Sequence, residues 1–371
     1  MSFETMDKRD LYRCVSCGNC RSVCPVFEQT GRESKNTRGR ILVIRDLYEG
    51  KMDDDSIFDS LNTCTTCGFC AETCPAGANP PELVEEARKG LISLGKMTPT
   101  QAKIRDTVAL YSNTLGVDGD RFDWLKNSEN NSSLTLPKNP KAVYFVGCLD
   151  SYRYPETALK TYKILNKMGV GLLEDEKCCG SPLLRLGFDA DDLMKHNIEQ
   201  IQKSGADTII AGCAGCYNTL KNNYQLPNVS VVTVSEYLIS HLKEFKELIA
   251  SENSGFKKLN IQVTYHDSCH SGRHNHIFDE PRALIREIVG NDNFKEMASI
   301  REKSRCCGGG GGVRSGYSEL SLAMAKRRLE DAPKGVDYII TSCPLCLRNL
   351  RDAGGDIPVI DIIELVSMAA E

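Results

Sequence analysis

No stretch of this 371-residue chain is apolar over the ~18 residues that a membrane-crossing helix needs. A secretion leader is not expected either: Met1-Ser2-Phe3-Glu4 has neither a charged n-region nor an apolar h-region. Neither sign of charge is in excess, with 46 Lys and Arg against 50 Asp and Glu, so no nucleic-acid footprint is expected. These absences predict a soluble, cytoplasmic protein, whose place at the inner face of a membrane would have to come through a partner. Leftover cysteines are also absent. All eighteen fall into groups of four, four, five and five. Disulfide-dense scaffolds are short and exported, and this chain is neither, so the spacing points to metal binding.

The length leaves room for two or three domains. In the first third, Cys14, Cys17, Cys20 and Cys24 follow C-x2-C-x2-C-x3-C-P, and Cys64, Cys67, Cys70 and Cys74 repeat it. This is the ferredoxin pattern for paired [4Fe–4S] cubes, in which the fourth cysteine of each run serves the other cluster. Cys14, Cys17, Cys20 and Cys74 are expected around one cube, and Cys64, Cys67, Cys70 and Cys24 around the other. Two zinc sites built from C-x-x-C pairs are the alternative, but the doubled run ending in proline is far more specific to clusters. Apolar spacing predicts helices over 38–50, 56–61 and 82–94. Residues 1–135 therefore read as an α-helical double [4Fe-4S] ferredoxin domain, closed by an Asn/Ser/Pro-rich boundary over 127–140.

The remainder is duplicated. Residues 142–147 before Cys148 match 261–266 before Cys269. Likewise 205–213 match 335–343, and 231–238 match 358–365. Helical stretches at 156–168, 191–203, 281–289 and 319–330 alternate with these short apolar runs, which predicts βαβ units with parallel strands. Two tandem α/β domains are expected, at 141–255 and 256–371, with cysteines at the carboxyl ends of strands, where open sheets place ligands.

Cys148, Cys178, Cys179, Cys213 and Cys216 form one five-cysteine set, and Cys269, Cys306, Cys307, Cys343 and Cys346 the other. Five thiols exceed what tetrahedral zinc or a single cube uses. An unusual cluster in each half is the reading from the residues, with zinc in one half as the alternative. Gly308 to Gly312, directly after Cys306-Cys307, is expected to turn the backbone and to let main-chain N–H groups approach an anion. His266, His270, His274 and His276 share one segment with Arg273. His270, next to Cys269, is the expected proton donor and catalytic residue. His266 is taken as a substrate contact or as a core residue finishing a strand. His274 and His276 are expected on the surface. Arg273 and Arg314 are expected to bind an anionic group of a substrate.

The spacings C-x29-C-C-G-x32-C-x-x-C and C-x36-C-C-G-x34-C-x-x-C resemble the paired CCG domains of the heterodisulfide reductase family. The double ferredoxin run is similar to that family's small electron-input polypeptide, and the fusion in this order resembles its D-type subunits. The resemblance implies two cubane and two noncubane [4Fe-4S] clusters, the latter held by the two five-cysteine sets. It implies reduction of the CoM-S-S-CoB disulfide to two thiols by two one-electron steps. The implied partner is an electron-donating subunit, either a membrane b-type cytochrome or a soluble flavoprotein or formate- or hydrogen-linked complex. The family pattern leaves a second possibility, an electron-transfer subunit of a glycolate, lactate or quinone-linked complex.

Overall fold

Among the described residues, seven short parallel strands carry the C-terminal two thirds, while the first third forms helices joined by irregular stretches and has no strand. The computed structural model describes residues 8–51, 57–126, 134, 136–250 and 255–370.

In the N-terminal part, helices Thr37–Tyr48 and Pro80–Ser93 pack their apolar faces together over Leu11, Ile41, Ile44, Leu83, Ala87 and Leu91. The first helix starts where Asn36 accepts a 3.0 Å hydrogen bond from Gly39 N, an N-cap that occupies an otherwise orphaned donor. The second begins at Pro80, two residues before the sequence expectation, because proline at the first turn gives up an N–H that would have no partner anyway. Helix Phe58–Asn62 overlaps the expected 56–61 region and runs one residue past its end; residue 56 lies outside the described residues. The two cysteine runs share one backbone path. Ser16 and Gly18 in the first, and Thr66 and Gly68 in the second, all have positive φ, which curls each run around a common centre.

The first sheet is ordered β2-β1-β3-β4, with β1 Ala142–Phe145, β2 Gly171–Leu172, β3 Thr208–Ala211 and β4 Ser230–Thr233. The second is β5-β6-β7, with β5 Val263–His266, β6 Tyr338–Thr341 and β7 Val359–Asp361. Phe145 pairs with Ala211 as His266 pairs with Thr341, so the two halves share a register. The matched runs 231–238 and 358–365 are strands only at their beginnings. Each turns at once into a helix, Val234–Ser240 or Ile362–Ala370. Thr233 caps Glu236 N, and the Glu236 carboxylate accepts from Thr233 N. Asp361 and Glu364 repeat the reciprocal arrangement, with Asp361 accepting from Ile363 N.

The halves exchange helices across their junction. Helix Pro155–Lys167 of the first packs on Ile362–Ala370 of the second, and Asp279–Val289 packs on Val234–Ser240. Tyr144 and Ile210 thereby share one core with Tyr265, Ile340 and Ile363. This fused core fixes the relative placement of the two cysteine-bearing sheet edges. Among the described residues, no helix is long and apolar enough to cross a membrane.

The ferredoxin part docks on both halves. Arg88, fully buried, donates to Leu61 O at 2.6 Å, Cys64 O at 2.8 Å and Arg185 O at 2.6 Å. The glycine run makes a further contact, a role beyond the expected approach of its main-chain N–H groups to an anion. A Cβ on Gly311 would stand 2.2 Å from Cys64 O, and one on Gly310 2.7 Å from Thr65 O. Bare backbone is needed because the second half lies against the main chain of the ferredoxin cysteine run. Two main-chain N–H groups of the run also face sulfur: Gly308 N donates to Cys306 Sγ at 3.3 Å, and Gly309 N to the Cys307 sulfur.

Candidate metal centres

None of the eighteen cysteines is in a disulfide. Cys14, Cys17, Cys20 and Cys74 line one small cavity, together with Cys70. Cys24, Cys64, Cys67 and Cys70 line a second. The fourth cysteine of each run thus crosses to the other's cavity. Arg40, buried, donates to Cys24 Sγ at 3.8 Å and to Ser60 O at 2.7 Å, placing a fixed positive charge beside the second cavity.

A larger cavity of about 200 Å³ lies between the two C-terminal halves. All five thiols of the first set line it, with Cys269, Cys307, Cys343 and Cys346 of the second. Strand ends bring them there: β3 leads into Cys213 and β6 into Cys343, each at the start of a helix that carries its partner, Cys216 or Cys346. Across the junction the Cys213 thiol interacts with that of Cys343. Cys67 of the ferredoxin part interacts likewise with Cys306. The sulfur sets therefore form a chain in space, from the Cys14 group through the Cys64 group and the Cys269 group to the Cys148 group.

Buried arginines accompany each step. Arg121 donates to Cys148 Sγ at 3.6 Å and to Glu176 at 3.1 Å. Glu176 also accepts from Val146 N and Gly147 N at 2.7 and 2.8 Å, which fixes the loop entering Cys148. Burial pushes this carboxyl up to about 7, against the pull of Arg121. In the second half Asp267 does the corresponding work, gripped by both terminal nitrogens of Arg282 at 2.6 and 2.9 Å. No local pattern announces Arg40, Arg121 or Glu176, because each reaches its cysteine only through packing.

The expected site residues separate. His270 lines the central cavity, with its Nδ1 3.3 Å from Cys269 Sγ. Its ring stacks on His274 at 4.8 Å. Burial, then His274 and Arg185, push its pKa well below the ordinary imidazole value, so it stands neutral. His274 is no surface residue: it is partly buried, and its Nε2 bonds Thr66 O at 3.0 Å. His276 is exposed, as expected. Arg314 lines the cavity, bonded to Asp352 at 2.5 Å, and its other terminal nitrogen is buried without a partner. Arg185 and Arg348 line it too.

Arg273 does not sit where a substrate contact was expected. It is buried outside the cavity wall, donating to Cys67 O at 2.8 Å, to Glu302 O and to Ser304 O, with Phe69 under its guanidinium. Its Nε and Nη1 join the ferredoxin part to the second half, and the residue is absent from the cavity wall where a substrate would sit. His266 is likewise a core residue at the end of β5, 1% exposed, bonded to Arg328 and absent from the cavity wall. Of the two expectations for His266, the structure places it as the core residue and not as a substrate contact.

Soft thiolates grouped four and five at a time, beside buried cations that offset their charge, fit iron–sulfur clusters. The comparisons agree. The 4Fe-4S dicluster domain family matches residues 10–78, and the cysteine-rich (CCG) domain family matches 142–221 and 263–351. The D subunit of dihydromethanophenazine:CoB–CoM heterodisulfide reductase from Methanosarcina acetivorans is 33% identical over 97% of this chain and 94% of its own length. The B subunit of a fumarate reductase (CoM/CoB) from Methanothermobacter marburgensis is 31% identical over 98% of this chain and 73% of that one. EtfAB:quinone oxidoreductase of Syntrophomonas wolfei is 26% identical over all of this chain and 59% of that protein. A crystal structure of a hypothetical Helicobacter pylori protein shares the fold, with a TM-score of 0.60, 12% identity, and coverage of 95% of this chain and 71% of that one.

A dicluster ferredoxin domain followed by two cysteine-rich α/β units defines an iron–sulfur oxidoreductase of the electron-transferring kind. Within that class, the chain belongs to the family of heterodisulfide reductase D subunits.

Proposed function

We propose that this chain is the catalytic iron–sulfur subunit of a CoB–CoM heterodisulfide reductase, cleaving CoM-S-S-CoB to two thiols. The observation that carries the reading is the single cavity lined by all five cysteines of the first group and by Cys269, Cys307, Cys343 and Cys346 of the second, with Cys213 and Cys343 interacting across the junction. A disulfide takes up two electrons and two protons to give two thiols, so paired one-electron sites suit it. Bound to these ten cysteines, two noncubane [4Fe-4S] clusters would supply one electron each and a metal face for each released sulfur.

The chain's own residues do the rest. Cys14, Cys17, Cys20 and Cys74, then Cys24, Cys64, Cys67 and Cys70, would hold the two cubanes of the input path. Cys17 is exposed, beside Val15 at 70% exposure, and marks the face toward an electron-donating subunit. That partner would be a membrane b-type cytochrome or a soluble flavoprotein or formate- or hydrogen-linked complex. A cytochrome would place the chain at the inner face of the membrane. Arg185, Arg314 and Arg348 orient the sulfonate and phosphate of the substrate in the cavity. With Nδ1–H turned to Cys269 Sγ, the Nε2 of His270 takes a proton and hands it to a departing thiolate.

Purified chain, reconstituted with iron and sulfide and supplied with reduced viologen, is expected to reduce the heterodisulfide without another subunit. Full cluster content with no turnover would instead favour an electron-carrying subunit. The likeness to the fumarate reductase and quinone oxidoreductase proteins supports that second reading.

A further inference from the structure

His266 has two ring nitrogens in two different situations. Arg328 Nε donates to its Nδ1 at 2.9 Å. Arg328 is itself fully buried and tied by its Nη1 to Asp331 at 2.8 Å and Ser299 O at 2.8 Å. A guanidinium has donors and no acceptor, so Nδ1 must present its lone pair and the ring proton must sit on Nε2. That Nε2 is buried and has no hydrogen-bond partner in the protein. A ring nitrogen of His266 and the Sγ atoms of Cys307 and Cys346 all lie within 4.8 Å of one another, and the two sulfurs are 3.3 Å apart.

The tautomer decides what this cluster of atoms can be. A histidine that ligates a metal does so through a lone pair, and commonly donates its other N–H to an acceptor. Here the hydrogen-bonding sense is reversed, so Nε2 has a proton to give and no lone pair for iron. The first half has no equivalent. Phe145 occupies the matching place in β1, opposite Ala211 as His266 is opposite Thr341.

We propose that His266 is a fixed Nε2–H donor toward a sulfur of the centre that Cys307 and Cys346 would hold, raising the reduction potential of that second five-cysteine centre and leaving the first without that contribution. A hydrogen bond to a cluster sulfur stabilises the more negative, reduced state, and hydrogen bonding to sulfur is among the levers that set cluster potentials. The centre so favoured is the one whose Cys306 touches Cys67 of the input path. His266 is a positioning and tuning residue and does not touch substrate. The inference rests on the reading that this cysteine set holds an iron–sulfur cluster.

The test compares His266→Asn with His266→Gln in the full, cluster-loaded chain. Asparagine keeps an acceptor for Arg328 and cannot reach as far as Nε2. Glutamine extends an N–H to that distance. EPR-monitored redox titration is expected to show one C-terminal centre shifted down in the Asn variant. A tenfold shift in its one-electron equilibrium is about 59 mV. The Gln variant should recover most of it. Pulsed EPR in deuterated water should show a strongly coupled exchangeable deuteron that the Asn variant loses and the Gln variant keeps. Unchanged potential and deuteron coupling in the Asn variant would overturn the inference. So would loss of about four irons, which would make His266 a ligand. A different result overturns the underlying reading: Cys307→Ala losing no iron and no signal would mean no cluster resides there.

Discussion

Cys213 and Cys343 come from different halves of a duplicated unit, yet their thiols interact at the junction between the sheets. The interaction follows from the exchange of helices across the shared core, which turns the carboxyl ends of β3 and β6 toward one cavity. Two metal centres built on these edges would be near neighbours. That proximity separates chemistry on one bond from charge transfer between distant sites.

Iron content is the first consequence. Four centres of four irons predict about sixteen irons per chain, with zinc at trace level. Cys213→Ala removes one sulfur from a five-cysteine group and should lower the count toward about twelve while the ferredoxin centres keep their spectrum. Elemental analysis with EPR reads both, and stoichiometric zinc in the purified chain would contradict the four-cluster assignment.

Gly311 tests the docking of the ferredoxin part. Its φ is +59°, and an added Cβ would stand 2.2 Å from Cys64 O. Gly311→Ala should therefore push the two parts apart at a cost of about 1–3 kcal/mol. Iron content should stay unchanged, while stopped-flow transfer of electrons from the ferredoxin centres to the C-terminal ones slows at least tenfold. Transfer at the native rate would mean the Cys67–Cys306 contact is not the route.

Arg314 bears on substrate charge. One of its terminal nitrogens is held by Asp352 and the other is buried without a partner beside the cavity. Arg314→Met is expected to raise KM for an anionic disulfide about tenfold, the loss of ~1.4 kcal/mol, with kcat nearly preserved. An uncharged disulfide should show no such change. Equal effects on both substrates would remove Arg314 from anion recognition.

Asp361 gives a pH dependence. Buried at the end of β7, its carboxyl is pushed up to about 7, by burial first and then by Glu364 and Cys343. The folded chain then holds a proton that the unfolded chain releases near the ordinary value of 3.8. The stabilisation is complete below that value and is lost as pH rises toward 7. Asp361→Asn retains an oxygen to cap Ile363 N and has no proton to lose. Relative to wild type it should gain about 1–3 kcal/mol of stability between pH 5 and pH 8. Thermal unfolding at both pH values checks this, and a constant difference would place the titration elsewhere.

The cysteine motifs, the duplication and most helices were legible because their causes are local. A C-x-x-C turn, a capping residue or an apolar stripe acts within a few positions of itself. The linear chain thus determined which sulfurs group together and that parallel α/β units present them. It also marked His270 and Arg314, both of which line the cavity. Strand length is the exception at 231–238 and 358–365, where apolar residues continue through the cap into a helix and hydropathy does not change.

Tertiary structure alone decided which groups meet. Cys67 against Cys306, Arg121 on Cys148 and Arg328 on His266 join segments far apart in sequence, through packing of surfaces that no local pattern encodes. It also moved Arg273 from substrate to the joint between domains, because packing buries its guanidinium among the backbone carbonyls of Cys67, Glu302 and Ser304, outside the cavity wall.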